Sequence, residues 1–323
     1  MPIIQDSDYQ APYWLFHAHL QTIIPSLFRK VEGVHYRREK LPTPDRDFLL
    51  LDWSAGDNDQ LAIISHGLEG DSQRPYIRGM VKAFRQAGYD ALAWNFRGCG
   101  GEMNQTLRFY HSGATDDLEL VVQHALNCSK YRRILLIGFS LGGNLTLKYL
   151  GERGERLPPE VNKSIVFSVP LDLSSSSRQI DEPGNFIYSR RFLRNLKRKI
   201  SQKNRAMPEA LSTGYFKNIR TLKDFDDFYT APLHGFQDAE DYYTSCSSLY
   251  FLDTIAIPTL IVNARNDPFL SEKCYPAERL KEHPCVYLEA PKEGGHVGFI
   301  PRHPLQNGNY WSEDRAVRFA GTD

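Results

Sequence analysis

Cysteine is scarce in this sequence. The five present (Cys99, Cys128, Cys246, Cys274 and Cys285) are odd in number and form no Cys-x-x-Cys pair, which argues against a disulfide framework and against a zinc site. A reduced, cytoplasmic setting is expected. Net charge is lacking as well: 39 Lys and Arg balance 39 Asp and Glu, so the chain as a whole makes no electrostatic case for nucleic acid or an acidic partner. No apolar run approaches the ~20 residues of a membrane span, and Asp6 and Asp8 stand where a secretory leader carries positive charge. The expectation is a soluble, unprocessed chain. His17 and His19 have no further ligand nearby, so they read as packing residues, and no metal is expected.

What is present has ordinary globular proportions, 41% hydrophobic and 24% charged, in a chain long enough for one large domain or two smaller ones. It is organised around residues 134 to 150. Ile134-Leu135-Leu136-Ile137 suits a strand buried on both faces; Gly138-Phe139-Ser140-Leu141-Gly142 then places glycine two residues before and after a serine, and a helical run follows to Leu150. Strand, abrupt turn and helix in that order describe a nucleophile elbow, which pushes a serine hydroxyl out at the top of a sheet above a helix N-terminus. A dinucleotide-binding turn would need glycine where Ser140 stands. Ser140 is therefore the candidate nucleophile.

Strands and helices alternate around this stretch. Residues 48–53 and 61–65 read as strands, 75–86 as a helix, 89–94 as a strand, 115–126 as a helix and 163–169 as a strand ending at Pro170. The second strand runs into His66-Gly67-Leu68-Glu69-Gly70, a turn where such a sheet places an oxyanion-hole amide, so the backbone N–H groups of Leu68 and Leu141 are the expected donors. The glycine-rich loop at 95–101 lacks the Lys-Ser/Thr of a phosphate loop; its glycines serve tight turns, and Arg97 anchors it. From 171 to 234 strand patterning stops. A serine cluster, a basic helical run (Arg190 to Arg205) and acidic Asp224, Asp226 and Asp227 suggest an inserted helical lid. In the basic run Phe192, Leu193, Leu196 and Ile200 are spaced for one helical face, which either packs on the body or meets an anionic membrane surface, the former being favoured.

Alternation resumes at 258–263, followed by Asn266-Asp267-Pro268, a helix over 271–281, a strand at 286–289, and Gly294-Gly295-His296. Asp267 lies just beyond a strand end, whereas Asp253 falls at the opposite edge of the sheet. His296 follows a strand on a glycine loop, whereas His283 precedes that strand and His303 lies between prolines. The order Ser140, Asp267, His296 is that of an α/β-hydrolase triad. The fold class expected is α/β, a mostly parallel sheet flanked by helices, as a single domain over 1–323 with 171–234 inserted in it.

Several motifs together resemble the YheT-type group of α/β-hydrolases, bacterial proteins assigned as esterases and related to the plant Emb8 proteins and to animal membrane-associated hydrolases. They are His19-Leu20-Gln21-Thr22, the loops at 66–70 and 95–99, Tyr110-His111-Ser112-Gly113, the elbow, Phe225-Asp226-Asp227 and Gly294 to Phe299. The resemblance spans nearly the whole chain. It implies a carboxylic-ester hydrolase with its triad at Ser140, Asp267 and His296 and a natural substrate that is generally undefined. The triad chemistry itself requires no metal or cofactor, and a small-molecule or lipid ester is the expected partner. The animal members carry an N-terminal membrane anchor and this chain begins almost directly at the shared region, so a bilayer substrate is the less expected one. Spacing gives no catalytic role for residues 19–22 or 110–113. Phospholipase-like or thioesterase activity uses the same machinery, and a non-catalytic scaffold on this fold is the competing class.

Overall fold

The computed structural model describes residues 2–304 and 307–321. Among them nine strands form one sheet: β1 (Ile3–Ile4), β2 (Arg37–Pro42), β3 (Phe48–Ser54), β4 (Gln60–Ser65), β5 (Asp90–Asn95), β6 (Arg133–Phe139), β7 (Val161–Phe167), β8 (Thr259–Val262) and β9 (Val286–Glu289). Their order is β1-β9-β8-β7-β6-β4-β5-β3-β2, and only the β2–β3 and β3–β5 pairs are antiparallel. β4 and β6 are neighbours, and the crossovers that follow them leave in opposite directions, β4 toward β5 and β6 toward β7. That reversal opens a crevice at the carboxyl ends of β4 and β6, where ligands bind in open parallel sheets.

Helices cover both faces, which is why the central strands are apolar at nearly every position. Leu61, Ile63, Leu92, Trp94, Ile134 and Leu136 pack with α3 (Thr115–Asn127) and α4 (Leu141–Arg153). The alternate residues Ala62, Ile64, Ala91, Ala93, Leu135 and Ile137 pack with α2 (Pro75–Gln86) and the helix Trp311–Gly321. α1 (Ala18–Phe28) precedes the sheet's second strand and contains a buried proline, Pro25. His17 caps it by accepting from the His19 amide at 3.2 Å, and the His19 ring meets the Tyr188 hydroxyl at 3.1 Å.

Between β7 and β8 the chain is helical and strand-free, starting with α5 (Leu173–Asp181) and α6 (Phe186–Ala206). The helical segment continues past 234, through Ala239–Cys246 to a 3-10 turn ending at Thr254. Two elements differ further from expectation. The helix expected over 271–281 is a 3-10 turn, Glu272–Cys274, and one α turn, Ala277–Leu280, because Pro276 supplies no amide and Tyr275 before it sits outside the helical region (φ −127°, ψ 62°). β2 gave no strand signal because Arg37, Arg38, Glu39 and Lys40 break the apolar alternation; such charge protects a sheet edge from pairing with other chains. Among the described residues no helix is long and apolar enough to cross a membrane.

Arg97 anchors its loop in a manner that sequence spacing only hinted at. Its guanidinium is buried, donating to Asp117 (2.8 and 2.9 Å), Asp45 (2.8 Å) and Asp47 (3.2 Å), and Asp47 also accepts from the Thr106 amide and hydroxyl and the Asn104 amide group. Removing one partner from such a group leaves buried charge uncompensated. Arg97→Met is expected to cost about 3–5 kcal/mol, read as a lowered urea midpoint; a loss within 0.5 kcal/mol, the usual range for a surface substitution, would show that the loop does not depend on it.

Candidate active site

Ser140 joins β6 to α4 at φ 53°, ψ −121°, a backbone region that L-residues rarely occupy. The neighbouring glycines are required by close approach: a Cβ on Gly138 would lie 2.6 Å from the Gly142 carbonyl oxygen, and one on Gly142 would lie 2.4 Å from the His66 carbonyl oxygen. The Ser140 amide donates to the Phe167 carbonyl at 2.9 Å, tying the turn to β7.

The structure brings the three predicted residues together. His296 Nε2 is 3.0 Å from Ser140 Oγ, and His296 Nδ1 lies 2.9 and 3.1 Å from the two carboxylate oxygens of Asp267. Asp267, 4% exposed, also accepts the Phe269 amide at 2.9 Å, and the Phe269 ring packs against the imidazole at 4.3 Å. The other candidates stand elsewhere: Asp253 pairs with Arg279, and His283 contacts the Leu252 carbonyl.

The motif at residues 19–22, to which spacing assigned no role, holds the histidine loop. Gln21 Oε1 accepts the Gly294 amide (2.8 Å) and the Asn266 side-chain amide (2.9 Å), while its Nε2 donates to the Leu15 carbonyl (2.7 Å). Thr22 Oγ1 accepts the His296 amide at 2.9 Å. Gly295 accepts no side chain because a Cβ there would meet Thr22 Oγ1 at 2.8 Å. Asn266 Oδ1 takes the Gly295 amide (3.0 Å), and Ser168 Oγ takes that of Val297 (2.9 Å). Gln21 thus bridges the loop carrying Asp267 and the loop carrying His296.

The turn at 66–70 is organised around one amide. The Gly67 N–H donates to the Tyr76 hydroxyl (3.0 Å) and the Glu69 N–H to the Tyr110 hydroxyl (3.0 Å). Leu68 N–H, between them, donates to no described residue. His66, fully buried, meets the Gly67 carbonyl through Nδ1 (2.8 Å) and accepts the Phe96 amide at Nε2 (3.2 Å), which assigns the proton to Nδ1. Burial lowers its pKa to about 3, so it stays neutral. A trans peptide points its C=O and N–H oppositely; with the Gly67 carbonyl held by His66 and by the Gly70 amide (3.0 Å), Leu68 N–H faces the other way. Tyr110 adds a bond from its hydroxyl to Glu69 (2.7 Å), which gives the 110–113 motif its place: it clamps this turn. Leu141 N–H, at the start of α4, has no partner within the helix.

Two chambers meet at Ser140. The first is lined mainly by apolar side chains, among them Phe109, Leu173, Ile180, Ile200, Leu222 and Phe225, and is roofed by α5 and α6. The second opens between α1, the start of α2 and α6, past Tyr76, Tyr188 and Phe269. Leu68 and Ser140 line both. α6 turns the expected apolar face inward: Leu193 and Ile200 are buried, with Phe192 and Leu196 packed beside them. Three lysines of the basic run also point inward. Lys199 pairs with Glu69 at 2.7 Å, Lys197 donates to the carbonyls of Phe216 and Ile219 (2.9 Å each), and Lys203 to those of Thr106 and Arg108.

A strand, a strained serine turn and a helix, with aspartate and histidine delivered from later strand ends, define the α/β-hydrolase class. Residues 63–303 match the α/β-hydrolase fold family, and the chain belongs to it. It is 35% identical to YheT of Escherichia coli (strain K12), over 93% of this chain and 88% of that protein. It is 29% identical to phospholipase ABHD3 of Mus musculus, over 93% of this chain and 74% of the relative. The esterase Pf2001 of Pyrococcus furiosus shares the fold with a TM-score of 0.57 at 19% identity, covering 90% of this chain and 97% of that one. The protein is thus related to esterases and phospholipases.

Asp226 lies in the wall of the apolar chamber, where burial raises its pKa to about 6 although the hydroxyls of Thr230 (2.5 Å) and Tyr243 (2.6 Å) donate to it. A carboxyl raised above its unfolded value of 3.8 contributes its stability below that value and loses it as pH rises through about 6. Asp226→Asn should therefore gain on the wild type between pH 4 and pH 8, by an amount on the order of 1 kcal/mol or more, measured as the difference in urea midpoints at the two pH values. A difference that does not change with pH would contradict the assignment.

Proposed function

We propose that the protein is a serine hydrolase that cleaves carboxylic esters through an acyl-enzyme. The observation that carries this reading is the 3.0 Å approach of His296 Nε2 to Ser140 Oγ, with the Asp267 carboxylate 2.9 Å from the other ring nitrogen. A serine hydroxyl is a weak nucleophile until a base accepts its proton. In this reading His296 takes that proton as Oγ attacks the ester carbonyl, and Asp267 holds the imidazole in the required tautomer and stabilises its cation. The amides of Leu68 and Leu141 receive the oxyanion. The imidazolium then protonates the departing alcohol; water, deprotonated by the same ring, attacks the acyl-enzyme and frees the acid. The reaction requires neither metal nor organic cofactor.

The apolar chamber suits the acyl chain, and α5 and α6 above it serve as the lid. The substrate is a small-molecule or lipid ester. Thioesters fit the same chemistry.

A fluorophosphonate probe is expected to label Ser140, and Ser140→Ala to lose both labelling and turnover. Asp267→Asn should fold normally and lose about 10⁴ in rate, measured on medium-chain p-nitrophenyl esters. His283→Ala and His303→Ala should stay active. Folded protein that takes up no probe while a known serine hydrolase does would replace this reading with that of a non-catalytic scaffold.

Gln21→Met removes the bridge between the two loops while keeping side-chain length. Its kcat should fall about 10- to 100-fold with little change in KM, and the rate of Ser140 labelling should fall in the same proportion. A change in the urea midpoint without a change in labelling rate would make Gln21 merely structural.

A further inference from the structure

The second chamber carries cationic groups that the ester chemistry does not use. Arg191, from α6, and Arg74, the residue preceding α2, both line it together with Ser140 and His296. Arg74 donates to the Glu69 carbonyl at 2.7 Å, a neutral acceptor. Arg191 is partly buried and has no hydrogen-bond or ion-pair partner among the described residues. Burial, then the charges of Arg74 and Arg194, lower its pKa, and no carboxylate offsets them.

The other charges in this wall are already balanced. Arg29 is paired with Glu313 at 2.6 Å, and the Glu69 carboxylate is taken by Lys199 and the Tyr110 hydroxyl, both at 2.7 Å. Two guanidiniums therefore face one cavity without a counter-charge. Holding like charges together in a partly desolvated site is unfavourable in the free protein, and an anion relieves it. Guanidinium forks bind phosphate oxygens in pairs, and two of them match the charge of a phosphate monoester.

We propose that Arg191 and Arg74 form the binding site for a phosphate group on the leaving alcohol of the ester. The proposal rests on the hydrolase reading above and deepens it: the acyl chain occupies the apolar chamber, the carbonyl lies at Ser140, and the phosphorylated alcohol occupies the second chamber. The substrate class is then an acylated polyol phosphate, such as a monoacylglycerol phosphate, rather than a neutral glyceride.

The test compares 1-decanoylglycerol 3-phosphate with 1-decanoylglycerol, both as dispersed monomers, on the full chain. The kcat/KM ratio should favour the phosphate ester by about 10-fold or more. Arg191→Gln should reduce that ratio about 10-fold through KM, Arg191→Lys should restore part of it, and Arg198→Gln, on the exposed side of the same helix, should leave it unchanged. These changes correspond to the ~1.4 kcal/mol of a tenfold effect. A wild-type ratio of one or below, or a ratio untouched by Arg191→Gln, overturns the proposal.

Binding to folded Ser140→Ala, measured by calorimetry, separates this idea from the hydrolase reading. Tighter binding of the phosphate ester that is lost with Arg191→Gln supports the site even where neither ester is turned over. Inorganic phosphate bound as tightly as the phosphate ester would overturn a role in recognising the alcohol. Hydrolysis of both esters at equal rates would leave the hydrolase reading intact and remove this one.

Discussion

The structure depends on one backbone constraint, the conformation of Ser140 at φ 53°, ψ −121°. A residue held there costs on the order of 1–3 kcal/mol, and it persists only because the surroundings leave no alternative. β6 and β4 run parallel with Ser65 opposite Gly138, so the turn after β6 is pressed against the turn after β4. The contact is close enough that a Cβ on Gly67 would stand 3.1 Å from that of Ser140. The strain and the adjacency have the same consequence: the hydroxyl is lifted out of the sheet beside the turn that follows β4.

Once the serine is fixed, the remaining problem is the histidine. Gly294, Gly295 and Gly298 let the chain after β9 turn back toward Ser140, with φ of 147° and 57° at the first two. Such a loop loses much conformational freedom on ordering. The clamp comes from outside the sheet. Gln21 and Thr22, more than 270 residues away, bind the amides of Gly294 and His296, and Gln21 at the same time holds Asn266 beside Asp267. A buried Gln21 that left those groups unpaired would cost more than the bonds themselves contribute, so α1 and the two loops stabilise each other.

These physical relations decide what the sequence could reveal. The elbow was legible because its requirements are local: an apolar strand, two glycines and a helix within seventeen residues. Asp267 and His296 followed from strand order. Gln21, Thr22, Tyr110 and His66 could be singled out as motifs, but their work lies in contacts across tens to hundreds of residues, which no spacing records. β2 was hidden because an edge strand is recognised by pairing and not by alternation. Pro276 was visible and should have ended the helix expected at 271–281. In the basic run, charge alone could not separate the three inward lysines from the exposed Arg194 and Arg198, since both kinds of residue fit a helix with one apolar face.

That division within α6 bears on how the two chambers relate. Lys199 links the helix to Glu69, the residue after Leu68, through a pair whose side chains are 12% and 4% exposed. Separating a buried pair leaves both charges uncompensated, which costs several kcal/mol unless water reaches them. Lifting α6 off the apolar chamber would break this pair and, through Glu69 and Tyr110, loosen the turn that aims Leu68 N–H. The second chamber needs no such rupture, because its mouth lies between α1 and the first turns of α6, where Leu27 and Ile187 are 61% and 68% exposed. On the proposed reading, an ester entering from that side would pass Tyr188 and Phe269 and reach Ser140 with Lys199 and Glu69 still joined, so the roof of the apolar chamber and the turn at 66–70 would stay assembled as it binds.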